Sequence, residues 1–147
     1  MTITNWLVSG LAAMILLPLM AAQPATTPDL AATLRANRWQ HRLLLIGAPT
    51  ASTADFQRQK ELLATASAGL AARDFKVLEI AYDQLSPADR QCWTQQLGQP
   101  LSGFAVVLVG KDGGVKRTST KPLPADDFFG TVDKMPMRRQ EMRGKGK

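Results

Sequence analysis

Six apolar residues in a row, Phe104-Ala-Val-Val-Leu-Val109, three of them valine, run into Gly110-Lys-Asp-Gly-Gly114 and resume as Val115-Lys-Arg-Thr118. An apolar run this short, closed by a turn signal, presents no polar face to water. It predicts a strand covered on both sides. Asp112-Gly113-Gly114 supplies residues that tolerate the positive φ of a tight hairpin. The stretch therefore reads as the central strand and hairpin of one small sheet.

The remaining elements follow in order. Leu30–Arg38 is a short helix, with Leu30 and Leu34 four apart. Arg42-Leu-Leu-Leu-Ile46 is a second buried strand, ended by Gly47 and Pro49. Asp55–Ala72 repeats Phe56, Leu63 and Leu70 every seven residues, with Leu62 and Ala66 widening the stripe, and reads as one helix. Phe75–Tyr82 is a third strand. Ser86-Pro-Ala-Asp89 opens a helix with a hydroxyl cap and proline at the first helical position. That helix carries Cys92, Trp93 and Leu97 and ends at Gly98 and Pro100. Asp126 and Asp127 begin a last helix faced by Phe128, Val132 and Met135, which Pro136 interrupts. A short basic segment and a frayed Gly-Lys-Gly-Lys tail, residues 143–147, follow. Alternating strands and helices call for a parallel sheet with right-handed crossovers, to which the hairpin adds an antiparallel strand. The fold class is α/β, a thioredoxin-like three-layer arrangement in which helices cover both faces of a mixed sheet of about four strands.

At the N-terminus, residues 1–22 hold no charged side chain, and Trp6–Ala22 is almost wholly apolar before the small residues of Met20-Ala21-Ala22. This reads as a secretory signal peptide over 1–22, placing the mature chain in the periplasm or outside the cell. The alternative is an uncleaved inner-membrane anchor, although the stretch is short for a span and carries Pro18. Gln23–Asp29 is rich in proline and threonine; the linker is set at 23–33 and the domain at 34–142.

The net charge of +6 is uneven: after Met137, five cations stand against Glu141 alone. A basic surplus gathered in a tail is not a nucleic-acid stripe, and no nucleic-acid partner is expected. One cysteine and one histidine exclude an internal disulfide, a Cys-x-x-Cys motif and a His-rich metal site.

Three strings stand out: Arg38-Trp-Gln-His-Arg-Leu-Leu-Leu45, Val109-Gly-Lys-Asp-Gly-Gly-Val-Lys116 and Asp133-Lys-Met-Pro-Met-Arg-Arg-Gln-Glu-Met142. Together they resemble the bacterial domain-of-unknown-function family 4174, of which related domains are repeated in animal extracellular-matrix proteins linked to cell adhesion. The resemblance spans Leu34 to Met142. It implies a thioredoxin- or peroxiredoxin-like fold and brings no established reaction.

A reactive cysteine in that fold sits just after the first strand. Here the place is Ala48-Pro-Thr-Ala-Ser-Thr-Ala54, without a thiol, and thiol–disulfide exchange needs a thiolate. Ser52 or Thr53 would need a base, and His41 lies before the strand, at its other end. The expectation is a non-catalytic module without a cofactor, binding a protein partner or a small anionic ligand. Its candidate binding residues are Lys111, Asp112, Asp133, Arg138 and Arg139, with the two arginines as a bidentate clamp. Two alternatives are one-cysteine redox chemistry at Cys92 and Cu(I) binding by Met135, Met137 and Met142. The hairpin tip and the Met-Pro-Met-Arg-Arg segment are expected to touch.

Overall fold

The computed structural model describes residues 29–146; the leader and most of the linker lie outside them. The elements are α1 (Leu30–Asn37), β1 (Arg42–Ala48), α2 (Ala54–Ala64), α3 (Ser67–Ala72), β2 (Phe75–Ala81), α4 (Pro87–Gln91), β3 (Ala105–Val109), β4 (Val115–Ser119), α5 (Ala125–Asp133) and α6 (Pro136–Gly144). The sheet order is β2-β1-β3-β4. All residues of β1 and β3 are buried, as continuous apolar runs require of strands sandwiched between two layers. Side chains alternate between the faces. Leu44, Ile46, Val106 and Leu108 meet Phe56, Leu63, Leu70, Phe128 and Val132 under α2, α3 and α5. Leu43, Leu45, Val107 and Val109 meet Leu30, Leu34, Trp93 and Leu97 under α1 and the α4 segment. The mixed α/β sheet with helices on both faces is the arrangement expected.

Several boundaries differ from expectation. Only β1 and β2 are parallel; β3 runs antiparallel to β1, pairing Ala105 with Gly47. The α4 segment is too short to return along the sheet, so the chain turns at Gly98 (φ +66°) and Gly103 (φ +70°) and re-enters from the end where β2 left. The helix after Ser86 is not regular throughout. It widens into a π turn over Cys92–Gln96, closed by Leu97 N–H on Cys92 C=O at 3.1 Å. The expected helix over 55–72 breaks at Thr65-Ala66, where the Thr65 hydroxyl bonds back to the Leu62 carbonyl and competes with the main chain.

At the N-terminus, α1 starts at Leu30 with Asp29 as its cap and Leu30 buried, so the linker set at 23–33 gives way to helix. The basic segment after Pro136 is likewise a helix, α6, which reaches Gly144 into the tail set at 143–147. Proline does not only end α5; it opens α6 at the first helical position, where its missing N–H costs nothing.

The strand directions fix two ends of the sheet. At one end lie the loops after β1 and β2. At the other lie the start of β1, the Arg73-Asp74 turn before β2 and the hairpin tip after β3. Seven extended residues separate the two by about 20 Å.

Candidate functional site

The three strings singled out in the sequence meet at the second end. Arg42 opens β1 and is 1% exposed. Its terminal nitrogens donate to the Arg73 carbonyl at 2.9 Å and to both Glu141 carboxylate oxygens at 3.2 and 3.3 Å. Glu141 belongs to α6, and it also receives Lys111 Nζ from the hairpin tip at 2.7 Å and Arg138 at 3.4 Å. Lys111 is shared with Asp74 at 2.7 Å. Asp133 takes a bidentate pair from Arg73, at 2.8 and 2.9 Å, and a longer contact from Arg138. The hairpin tip therefore meets the segment after Asp133: Lys111 bonds to Glu141, and Lys111 and Asp112 share a cavity with Met135, Pro136 and Met137 of the Met-Pro-Met-Arg-Arg stretch.

Electrostatics follow the contacts. Burial pushes the Glu141 carboxyl up, but hydrogen bonds and charge from Lys111 and Arg42 outweigh it and hold the group at about 2. Hydrogen bonds from Lys116 and the Gly114 amide keep Asp112 below its ordinary range. Arg73 does the same for Asp133.

Between the hairpin and the start of α6 is a cavity of about 330 Å³, lined by Arg42, Gly110, Lys111, Asp112, Lys116, Met135, Pro136 and Met137. Three cations and one carboxylate stand on its wall. The Arg42 Nε–H is buried without a hydrogen-bond partner, whereas Nη1 makes two hydrogen bonds and Nη2 one. The first turn of α6 has no side-chain cap and no acidic residue. Its free amides and the positive end of its dipole are the ordinary ingredients of an anion site. Beside the tip, Trp39 is 62% exposed and held at φ +67°, a region that bulky side chains rarely enter. Its amide donates to the Lys111 carbonyl, Arg38 Nε donates to the Asp112 carbonyl, and the Arg38 guanidinium lies 5.7 Å from the indole centroid.

The structure sorts the expected site residues. Lys111, Asp133 and Arg138 join one network through Glu141, and Asp112 pairs with Lys116 at its edge. Arg139 stands apart: it is exposed, beside Met142 and Arg143. Adjacent helical residues point in different directions, so the two arginines do not form the expected clamp. The three methionines do not gather either. Met135 and Met137 line the cationic cavity, while Met142 is 43% exposed with Arg139 and Arg143. No group of three or more His, Cys, Asp or Glu side chains suited to a metal occurs among the described residues. Arg42, Asp74, Lys116 and Glu141 were not among the candidate binding residues, although three of them lie in the strings. The one available signal was a charge, Arg42, opening an otherwise apolar strand.

The thiol position differs in character. The loop after β1 holds a hydroxyl cluster, Thr50 Oγ1 lying 3.0 Å from Ser52 Oγ and 3.4 Å from Thr53 Oγ1, with no base bonded to either candidate. Cys92 is buried against the π turn, its Sγ 3.3 Å from Gln96 Oε1. Burial and the nearby carboxylates of Asp89 and Asp29 push its thiol up, the reverse of what a reactive thiolate needs.

A family model described as "Domain of unknown function (DUF4174)" matches residues 33–141. The chain belongs to the DUF4174 family. The three strings that carried the resemblance lie almost wholly within that range, and with Arg73 and Asp74 they build the charged end. Solved structures place the DUF4174 fold among thioredoxin-like proteins. The crystal structure of Trxlp from Edwardsiella tarda EIB202 matches with a TM-score of 0.51 at 21% identity, over 69% of this chain and 93% of that one. The reduced 2-Cys peroxiredoxin of Plasmodium vivax matches with a TM-score of 0.53 at 14% identity, over 74% and 84%. At these identities the likeness concerns fold alone. No curated protein matches the chain.

Proposed function

We propose that this DUF4174 chain is an exported, non-catalytic thioredoxin-like module that binds an anionic group, carried by a small molecule or a protein partner, at the charged end of the sheet. The observation that carries the reading is the cavity between the hairpin and α6: Lys111, Lys116 and the uncapped start of α6 line one space. Trp39 stands beside the same tip, where a protein partner bearing the anion would find an aromatic contact. The loop after β1 has no thiol, and Cys92 lies in surroundings that suppress its thiolate, so the fold is put to binding rather than exchange. The apolar leader over 1–22 supports export.

Amide shifts of the labelled protein during titration with acetate or inorganic phosphate test the reading. Shifts confined to Lys111–Gly114 and Met137–Arg138 support it. Shifts only in the loop after β1 overturn it. So does thiol–disulfide reductase activity that disappears in Cys92→Ser.

A further inference from the structure

The surplus of positive charge, +6 over the chain, is gathered at one end of the sheet. Each carboxylate there, Asp74, Asp112, Asp133 and Glu141, is already held by a lysine or an arginine. Asp126, whose charge also reaches Arg73, lies at the far start of α5. Arg38, Lys76, Lys134, Arg139, Arg143 and Lys145 have no carboxylate within ion-pair distance among the described residues, and all are exposed.

Two exposed apolar side chains accompany them. On α6, Met142 shares one open depression with Arg139 and Arg143, while Arg138 and Glu141 turn to the body. The other is Trp39. Its N–H bonds to the Lys111 carbonyl, and Lys111 Nζ bonds to Glu141, so the Trp39 turn and α6 are fixed to the same hairpin tip. Trp39 is unfavourable twice over: its indole is in water, and its backbone is held at φ +67°, which glycine or asparagine would adopt with less strain. Neither feature serves the interior, since Trp39 belongs to neither core cluster.

The unpaired cations come from separate elements and sit on flexible stems. A folded partner would need carboxylates fixed at matching places, whereas a fluid lipid surface brings its anions to wherever the cations are. Indole settles at the boundary between headgroups and acyl chains, and lysine and arginine answer the anionic headgroups. From this we infer that the charged end docks on a bilayer of anionic lipids, with α6 and the Trp39 turn against the headgroups. The surface is the outer side of this end and not the cavity, so the inference goes beyond the anion-binding reading and stands apart from it.

Co-sedimentation of the full-length chain with vesicles tests it, comparing neutral phosphatidylcholine with the same lipid carrying about one-third phosphatidylglycerol. The apolar leader acts on both alike, so the difference between the two vesicles is what is read. Binding should be about tenfold or more tighter to the anionic vesicles at about 0.1 M salt, and the difference should vanish at about 0.5 M. Arg139→Glu with Arg143→Glu should weaken binding to the anionic vesicles about tenfold or more. Arg58→Glu with Lys121→Glu makes the same change of net charge on α2 and beyond β4, away from this end, and should have little effect. Trp39→Asn should weaken binding about threefold or more while leaving the thermal midpoint unchanged or higher.

Equal binding to the two vesicles, or equal loss in the two charge-reversed pairs, overturns the inference. So does tighter binding to a single-stranded oligonucleotide or to polyglutamate, which makes the partner another polyanion. Should a variant fail to fold, lipid composition and salt decide with the unaltered chain. Acetate or phosphate shifts in the cavity residues bear on the anion-binding reading alone.

Discussion

Arg42 is the residue on which the charged end depends. A guanidinium 1% exposed is stable only with its partners in place, and Glu141 is the main one. Glu141→Ala strands Arg42 in the interior and should cost about 3 kcal/mol in chemical denaturation. The sign of the acid response is fixed by the same pair. The Glu141 carboxyl sits at about 2 in the fold against an ordinary value of 4.5, so the fold favours its ionised form. That stabilisation is complete above about pH 4.5 and is lost as pH falls towards 2. Asp112 and Asp133, both lowered, act in the same direction. Glu141→Gln should therefore flatten the fall of stability between pH 4.5 and 2 relative to wild type, measured by urea midpoints.

Gly47 gives a second prediction at this scale. A Cβ there would lie 2.5 Å from Trp93 Cζ2 and 2.8 Å from the Tyr82 hydroxyl. Trp93 is fully buried, with its Nε1–H donated to the Pro100 carbonyl, and has no room to withdraw. Gly47→Ala should destabilise by about 2 kcal/mol through overpacking, read as a lower denaturation midpoint.

Among the elements, α6 is the one whose importance was hidden. Its composition is polar, so hydrophobic periodicity says little about it. Its place is decided by charge: Arg138 and Glu141 face the body, with Arg138 also donating to the Ala72 carbonyl at 3.0 Å. Arg139 and Met142 lie on the exposed side. Arg138→Ala should lower stability by about 1–3 kcal/mol, since a half-satisfied charge network is left behind, whereas Arg139→Ala should fall within about 0.5 kcal/mol of wild type. Paired thermal melts distinguish the two. The α4 segment shows a different limit. Its Ser86 cap and first-turn proline are plain in sequence, but the π turn over Cys92–Gln96 is not, and Trp93 within it packs against Gly47, a contact between distant segments.

Across the whole molecule, the fold separates two ends about 20 Å apart along β1. The end where thioredoxin-like chemistry is placed has hydroxyls without a base beside a cavity of about 580 Å³ lined by Ala51, Ile80, Gln84 and Leu85, and the other end has the clustered charges and the smaller, cationic cavity. A labelling experiment separates the two. Cys92 should react slowly with an alkylating reagent at neutral pH in the folded protein and rapidly in denaturant, because burial and neighbouring carboxylates disfavour its thiolate. Fast labelling of the native protein would return the thiol to consideration.

The sequence alone determined the sheet and its layers. Continuous apolar runs at β1 and β3, short and β-branched, read as covered strands, and the Asp-Gly-Gly turn reads as a hairpin, because these signals are local and reflect burial and φ tolerance. It also marked three strings that belong together and indicated that the hairpin tip would touch the Met-Pro-Met-Arg-Arg segment, though not that this segment is a helix. What it did not carry was the direction of β3, the break at Thr65 and the partners of each charge. Charged side chains have no periodicity that names a partner, and Arg42, Asp74, Lys111 and Glu141 are far apart in the chain. Only the packing of β1, the hairpin and α6 brings them within hydrogen-bonding distance. That packing also made the hairpin tip and Lys116 one wall of a cationic cavity.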